Sequence, residues 1–443
     1  MFKLSSKYKV SLFNCLTVIL FPILFPTILI ACLCARVTSL SKGKPRLLWG
    51  PAPIVNYPNW ARAMRDAGYN SYSYTEGYTA KLSSREEFDI LAEDRFPKWM
   101  PGRIRRFFVF IVTLFQFDIF FISFQGSFLG ITNYWVFESL FYRLAGKKVI
   151  PLCFGEDIFV YRRVRSLSRL YGLTAYNSVV AKTQNIIAAK VDYWVKNADA
   201  IMPGFAYCDG LGRIDILAYC VLCLDVRSWK SKKVKGLGFN GSDGVVRIAH
   251  SPNSRGGKGT RYVLDAVEKL KAEGLHVELV LLEGVTNIQV KEALLNDVDI
   301  LAEQLLLIGY GLSGMEGMAA GLPVISNLDD PEYFKTLRRW SFFDECPVVS
   351  ATPENFLDVL RILVKNPSLR AELGKCGKNF MNKYHSNEAM VFLFEAIIDY
   401  IYGRRESLLE FCDPVVGEFP KRLPKIKTPR LDSSLESYED YPL

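Results

Sequence analysis

Twice along this chain, short apolar segments of strand length alternate with longer segments of helical period, and one polar stretch separates the two series. Parallel strands need crossovers of a dozen or more residues, which helices supply, so such alternation calls for a parallel sheet covered on both faces. The first series reads strand Arg46 to Trp49, helix Asn59 to Ala67 closed by Gly68, strand Asp118 to Phe124, helix Tyr134 to Leu144, strand Lys148 to Phe154, helix Val180 to Lys196 and strand Ala200 to Pro203. The second reads strand Val245 to Ala249, helix Arg261 to Ala272, strand Val277 to Leu282, helix Gln289 to Leu294 and short strand Ile300 to Ala302. Helix Ser313 to Ala320, strand Val324 to Ser326 and helices Pro353 to Val364 and Leu369 to Tyr384 complete it. The expected fold class is α/β, with two tandem Rossmann-like, doubly wound domains at 45–227 and 245–385 joined by a linker at 228–244. A ligand cleft is expected between them, at the carboxyl ends of the strands. Residues 413–443 have too few regularly spaced apolar residues to pack and are expected to be unstructured.

From Val10 to Leu33 no charged residue occurs. At about 1.5 Å per residue such a helix covers the roughly 30 Å hydrocarbon layer. Residues 10–34 therefore read as one transmembrane anchor behind a short tail, 1–9, with Pro22 and Pro26 as kinks. A cleaved signal peptide is the first alternative, although its apolar core is normally shorter. An exported lipoprotein with Cys32 as its mature end is the second. Lys and Arg flank the segment on both sides, and the body is placed in the cytoplasm. A second apolar stretch, Phe107 to Leu129, is interrupted by Gln116, Asp118 and Gln125, so it reads as a buried helix to Leu114 followed by a buried strand. The cluster Arg103, Arg105, Arg106 before it suits either anionic headgroups or a solvated face.

The net charge of +9 is spread along the chain without a basic run, which fits membrane lipids and anionic substrates and argues against nucleic acid as a partner. Ten cysteines are too few for a disulfide scaffold. Cys220 and Cys223 have the spacing of a metal half-site but no second pair, and the three histidines, His250, His276 and His385, all lie in the second half. No metal and no cofactor are expected.

The chemistry is expected in two loops. The stretch Ile308-Gly309-Tyr310-Gly311-Leu312 opens a helix that carries Glu316 and stops at Gly321. Glycines let the backbone approach a diphosphate, and the helix start favours its charge. Glu316 is better suited to accepting the two hydroxyls of a ribose. The stretch Ser251 to Thr260 follows the first strand of the same domain and offers Arg255 and Lys258 as cations for a leaving diphosphate. His250 either touches the donor phosphate or is a hydrogen-bonded structural histidine. Glu283 borders the cleft or is a solvated loop carboxylate.

The region from about Val245 to Ser386 resembles the nucleotide-binding domain of the family 4 group of retaining glycosyltransferases, through Gly309-Tyr310-Gly311, Glu316, Gly321-Leu322-Pro323-Val324-Ile325 and Lys258-Gly259. The resemblance implies the two-domain GT-B fold, donor binding by Glu316, Lys258, Arg255 and the backbone of Gly309, Tyr310, Gly311 and Leu312, and a closing helix within 386–405 that returns to the first domain. Three positions depart from the family: Ile308 stands for its first glutamate, Asn253 for its arginine and Phe154 for its amino-terminal histidine. The expected activity is metal-independent transfer of a sugar from a nucleotide-sugar donor to a membrane-associated glycan or lipid-linked acceptor. A catalytically silent scaffold subunit of a glycan assembly complex is the alternative, and no catalytic residue is assigned.

Overall fold

The computed structural model describes residues 17–408 and 418–431, except 39–42, 78–84, 98–99, 204–208, 217–221, 231–237, 331–333, 335–336, 339–341 and residues 156, 177 and 430. An apolar helix, α1 (Phe21–Thr38), comes first. Strands β1 (Leu47–Trp49), β2 (Ser71–Thr75), β3 (Ile90–Leu91), β4 (Ile119–Ser123) and β5 (Lys148–Leu152) then form a five-stranded sheet of order β3-β2-β1-β4-β5, parallel throughout. Its helices include α2 (Asn56–Asp66), α3 (Gly102–Gln116), α4 (Glu138–Leu144) and α5 (Leu167–Tyr176). The apolar stretch at 107–129 is thus helix followed by a strand buried at every residue, as its polar interruptions required.

The second sheet contains β6 (Val246–His250), β7 (Val277–Leu281), β8 (Ile300–Ile308), β9 (Val324–Asn327) and β10 (Val349–Ser350) in the order β10-β9-β8-β6-β7, again parallel. Its helices include α6 (Thr260–Ala272), α7 (Asn287–Asn296), α8 (Leu312–Ala320), α9 (Pro367–Tyr384) and α10 (Asn387–Ile401). Two doubly wound α/β domains in tandem are the architecture. Strand order reverses between β1 and β4 in the first sheet and between β6 and β8 in the second. At such a point neighbouring crossovers leave to opposite faces and open a crevice at the strand ends.

The last helix packs on the first domain. Met390, Leu393, Phe394 and Ile397 recur at helical spacing and are buried. The Phe394 ring lies 4.8 Å from Trp49 and 5.9 Å from Trp60, while Trp49 stacks on Phe121 at 3.8 Å. Aromatic burial of this extent joins the two domains through one apolar core.

One expectation needs correction. Residues 418–431 are packed, although the whole of 413–443 was expected to be unstructured. The cause is polar: buried Glu345 accepts the Ile426 N–H at 2.8 Å and Lys383 Nζ at 2.9 Å, and Lys383 also donates to the Pro424 carbonyl. An apolar pattern is not needed when a buried carboxylate takes up backbone groups. The stretch 432–443 lies outside the described residues, as does 1–16, where the expected anchor begins. The described part of that anchor is helical and is the one described helix long and apolar enough to cross a membrane. It lies against α3 and α4 along a narrow stripe formed by Ile28, Cys32 and Ala35.

Candidate active site

The crevice of the second domain opens between β6 and β8, and both glycine loops begin there. The Ser251 to Gly259 loop leaves the carboxyl end of β6, and Gly309-Tyr310-Gly311 leaves that of β8. Ser254 caps a short turn by accepting the Gly257 N–H, which brings Lys258 inward. Strand β8 is irregular: its register with β9 shifts on both sides of Gln304. Such bulges re-aim side chains next to functional sites. Here Glu303 and Gln304 both turn into the protein.

Lys258 does reach the helix-opening loop, but its ammonium is already paired. Its Nζ lies 2.5 Å from Glu303 Oε1 and 2.7 Å from Gln304 Oε1. The same Glu303 carboxylate accepts the Ser313 hydroxyl at 2.9 Å, the Ser326 hydroxyl at 2.8 Å and the Gly311 N–H at 3.4 Å. Gln304 donates to the Gly309 carbonyl at 2.7 Å. The start of α8, where partial positive charge favours an anion, therefore holds the chain's own carboxylate. Arg255 is paired too, in two parallel bonds of 2.8 and 2.6 Å to Glu283, which keep that carboxyl below its ordinary range. Both cations expected to face a diphosphate thus have a partner carboxylate within the site.

Sequence reading missed Glu303 and Gln304 because it ended the strand at Ala302. The signal was an acid and an amide side by side inside the apolar run Ile300 to Ile308, where neither is tolerated without partners.

Glu316 is the opposite case. It is half-buried on α8 and has no hydrogen-bond or ion-pair partner among the described residues. Burial pushes its carboxyl up to about 7, against the opposing pull of Lys291 on α7. Its oxygens are thus left without a described donor.

The remaining positions are mostly structural. Gly309 has φ of 91°, and a Cβ there would lie 2.9 Å from the Phe334 ring. The Tyr310 side chain turns away from the loop and lies 2.9 Å from His385 Nε2, while His385 Nδ1 lies 3.0 Å from the Leu222 carbonyl. Burial lowers the pKa of His385 to about 4, so it is neutral, donates from Nδ1 and accepts the tyrosine hydroxyl. His250 is fully buried between the Ala302 carbonyl at 2.7 Å and the Thr260 hydroxyl at 2.9 Å, so its structural alternative holds and it cannot reach a phosphate. Ile308 packs against the core. Cys223 is buried and unoxidised, whereas Cys220 lies outside the described residues. Among the described residues no cluster of three or more His, Cys, Asp or Glu is arranged to hold a metal.

The first domain reaches across this crevice. A Cβ on Gly256 would lie 2.6 Å from the Ala175 carbonyl, and one on Gly172 would lie 2.6 Å from the Leu306 carbonyl. Helix α5 thus rests directly on the β6 loop and the end of β8, at a distance only glycine permits. Ser166, just before α5, donates to Asp330 at 2.5 Å.

At its own switch point the first domain presents a different lining. Phe154 packs against Tyr57 and Trp60 at 5.3 and 5.9 Å. Asp157 accepts the N–H groups of Phe124 and Phe154, both at 3.0 Å, and Glu138 accepts those of Ser127 and Leu129 at 3.0 and 2.6 Å.

No family model matches this chain, and no curated protein matches it. Among solved structures, an α-glucosyltransferase in complex with UDP and a 13-mer DNA containing a central A:G mismatch is 11% identical, with a TM-score of 0.48 over 81% of this chain and 100% of that one. The calicheamicin glycosyltransferase CalG4 is 10% identical, with a TM-score of 0.33 over 82% and 99%. The glycosyltransferase SnogD from Streptomyces nogalater is 12% identical, with a TM-score of 0.32 over 80% and 100%. At these values the likeness carries no functional argument, which rests on the geometry of the crevice.

Proposed function

We propose that this chain is a glycosyltransferase of the GT-B type that moves a sugar, with retention and without a metal, from a nucleotide-sugar donor to a membrane-proximal, lipid-linked acceptor, its body facing the cytoplasm. The observation that carries the reading is Glu316: a half-buried carboxylate with no described partner, one helical turn into the helix that opens at the switch point. The ribose hydroxyls of a nucleotide are the donors it lacks. The diphosphate then lies over the backbone of Gly309 to Leu312, where Lys258 is shared between Glu303 and phosphate. Arg255 moves from Glu283 to the phosphate from the rim. Both contributions are smaller than those of free cations, because each exchange breaks an existing ion pair.

A second reading, a nucleotide-sugar-binding scaffold without turnover, is favoured by Ile308 and by the paired state of both cations. A thermal-shift screen of nucleotide sugars comes first, since a ligand at 100 times its dissociation constant adds about 2.7 kcal/mol. The Glu316→Gln variant is then expected to bind the best donor at least about tenfold more weakly, the loss of a charge-assisted contact. It is also expected to fail to restore the glycan product of a deletion strain at matched protein levels. Full rescue by the variant establishes the scaffold reading.

A further inference from the structure

Helix α1 has an exposure pattern that a free membrane span and a soluble core helix both fail to produce. Its described length, with Thr17 just before it, touches the body from end to end. The Tyr134 hydroxyl donates to the Thr17 carbonyl at 3.4 Å, and Phe21 and Phe25 pack on Tyr134, Phe137 and Phe141. Ile28, Cys32 and Ala35 are buried further along, and Arg36 at the far end lies over Gly146. The opposite side is bare: Ile19 is 72% exposed, Ile23 66%, Ile30 63% and Val37 74%. Beside it, α3 turns a second apolar stripe outward, Phe108, Val112 and Phe115, at positions i, i+4 and i+7. Contiguous exposed apolar surface of this size is covered in a working protein.

We propose that α1 lies in the plane of the membrane and that α1 and the outer stripe of α3 together form the face with which the body rests on an anionic bilayer surface. Eighteen residues span about 27 Å, close to the full hydrocarbon thickness. Were α1 perpendicular to the bilayer, everything packed along it would enter the hydrocarbon as well. That would include exposed Asn133 and Arg143, which flank and belong to the α4 region, at several kcal/mol for an arginine by order of magnitude. Lying flat, the helix immerses only its bare side. The charges agree with this orientation. Neither 17–38 nor 100–117 contains an Asp or Glu; Arg36 stands exposed at the end of α1, while Arg105 and Arg106 at the start of α3 are turned inward and paired with Glu76. The apolar strip thus has no acid along its length and one exposed cation at its end, on a chain of net charge +9, which suits a surface of anionic headgroups.

This deepens the membrane-proximal part of the proposed function and is tested without donor or acceptor, so failure of nucleotide binding leaves it standing. The full chain is added to vesicles of phosphatidylcholine with and without phosphatidylglycerol, carrying an encoded environment-sensitive fluorophore at Ile19, Ile30 or Phe108. Lipids brominated near the headgroup are expected to quench all three positions, and lipids brominated at the chain end to quench none strongly. Phosphatidylglycerol is expected to raise binding at least about tenfold. The Phe108→Ser/Val112→Ser/Phe115→Ser variant changes only exposed side chains and is expected to reduce binding at least about tenfold. Deep quenching at Ile30 with none at Phe108 would establish a spanning helix and overturn the proposal. So would undiminished binding of the triple variant, or a concentration-dependent dimer that buries this face.

Discussion

At the first switch point the buried acids Asp157 and Glu138 bond to backbone amides, whereas at the second Lys258 and Arg255 bond to side-chain carboxylates. The difference is one of exchangeability. A carboxylate that holds two backbone N–H groups fixes loop shape whatever ligand is present, because releasing it leaves donors buried without acceptors. An ion pair between side chains can trade one anion for another at modest cost when both are oxyanions. The first crevice is therefore a rigid, aromatic-lined wall, and the second is a set of charges with exchangeable internal partners. Glu316 belongs to neither arrangement, having no partner among the described residues.

The largest effect is expected at the Lys258–Glu303 pair, both members of which are buried. Lys258→Met leaves Glu303 without its cation and should cost about 3 to 5 kcal/mol of stability by denaturant titration. The double variant Lys258→Met/Glu303→Gln should recover most of that loss, since no uncompensated charge remains. If the single variant is as stable as the parent, the ammonium is not held by Glu303 and the second crevice is not internally neutralised.

The contrast between the crevices is sharpest in two carboxyls that burial pushes up to about 7, Glu138 and Glu316. Each folded-state value lies above the ordinary 4.5, so each acid makes the fold less stable as pH rises from about 4.5 to 7, with no further change above. Glu316→Gln removes that penalty and loses no described bond. It should stabilise the ligand-free chain by about 1 to 2 kcal/mol at pH 7.5 and make no difference near pH 4. Glu138→Gln places an amide NH2 against one of two backbone donors and should destabilise by about 1 to 3 kcal/mol at pH 6. Equal signs for the two variants in urea titrations would mean that Glu316 has a partner after all.

Much of this was legible in the residues, and the gaps have physical causes. The two alternations, the glycine loops and Glu316 were readable because period and turn chemistry are local. Strand β2 was not, since Ser71-Tyr72-Ser73-Tyr74-Thr75 has little aliphatic content and owes its burial to the sheet around it. The continuation of β8 through Glu303 and Gln304 was hidden by the prior that acids end buried strands. The partners of Lys258 and Arg255 lie 45 and 28 residues away and follow from strand order, not spacing. The segment 418–431 is held in part by a buried acid, Glu345, that no pattern within the segment announces.

Arg255 provides the smallest effect and the finest test of exchangeability, because its pair with Glu283 stands at the exposed rim. An exposed pair contributes little to stability, so neither Arg255→Lys nor Glu283→Gln should move the melting temperature measurably. Ligand affinity should separate them. Arg255→Lys loses the planar fork and should weaken nucleoside diphosphate binding by about threefold, while Glu283→Gln releases the guanidinium and should strengthen it by a similar factor. Free nucleoside carries no phosphate and should bind all three proteins alike. The two changes should also shrink together as ionic strength rises, since charges at this rim are screened within about 10 Å at 0.1 M salt. Titration calorimetry with nucleoside and nucleoside diphosphate at two salt concentrations measures all of this. A Glu283→Gln variant that binds diphosphate no better than the parent would show that Arg255 does not exchange its carboxylate for a ligand, leaving Lys258 as the cation of the crevice.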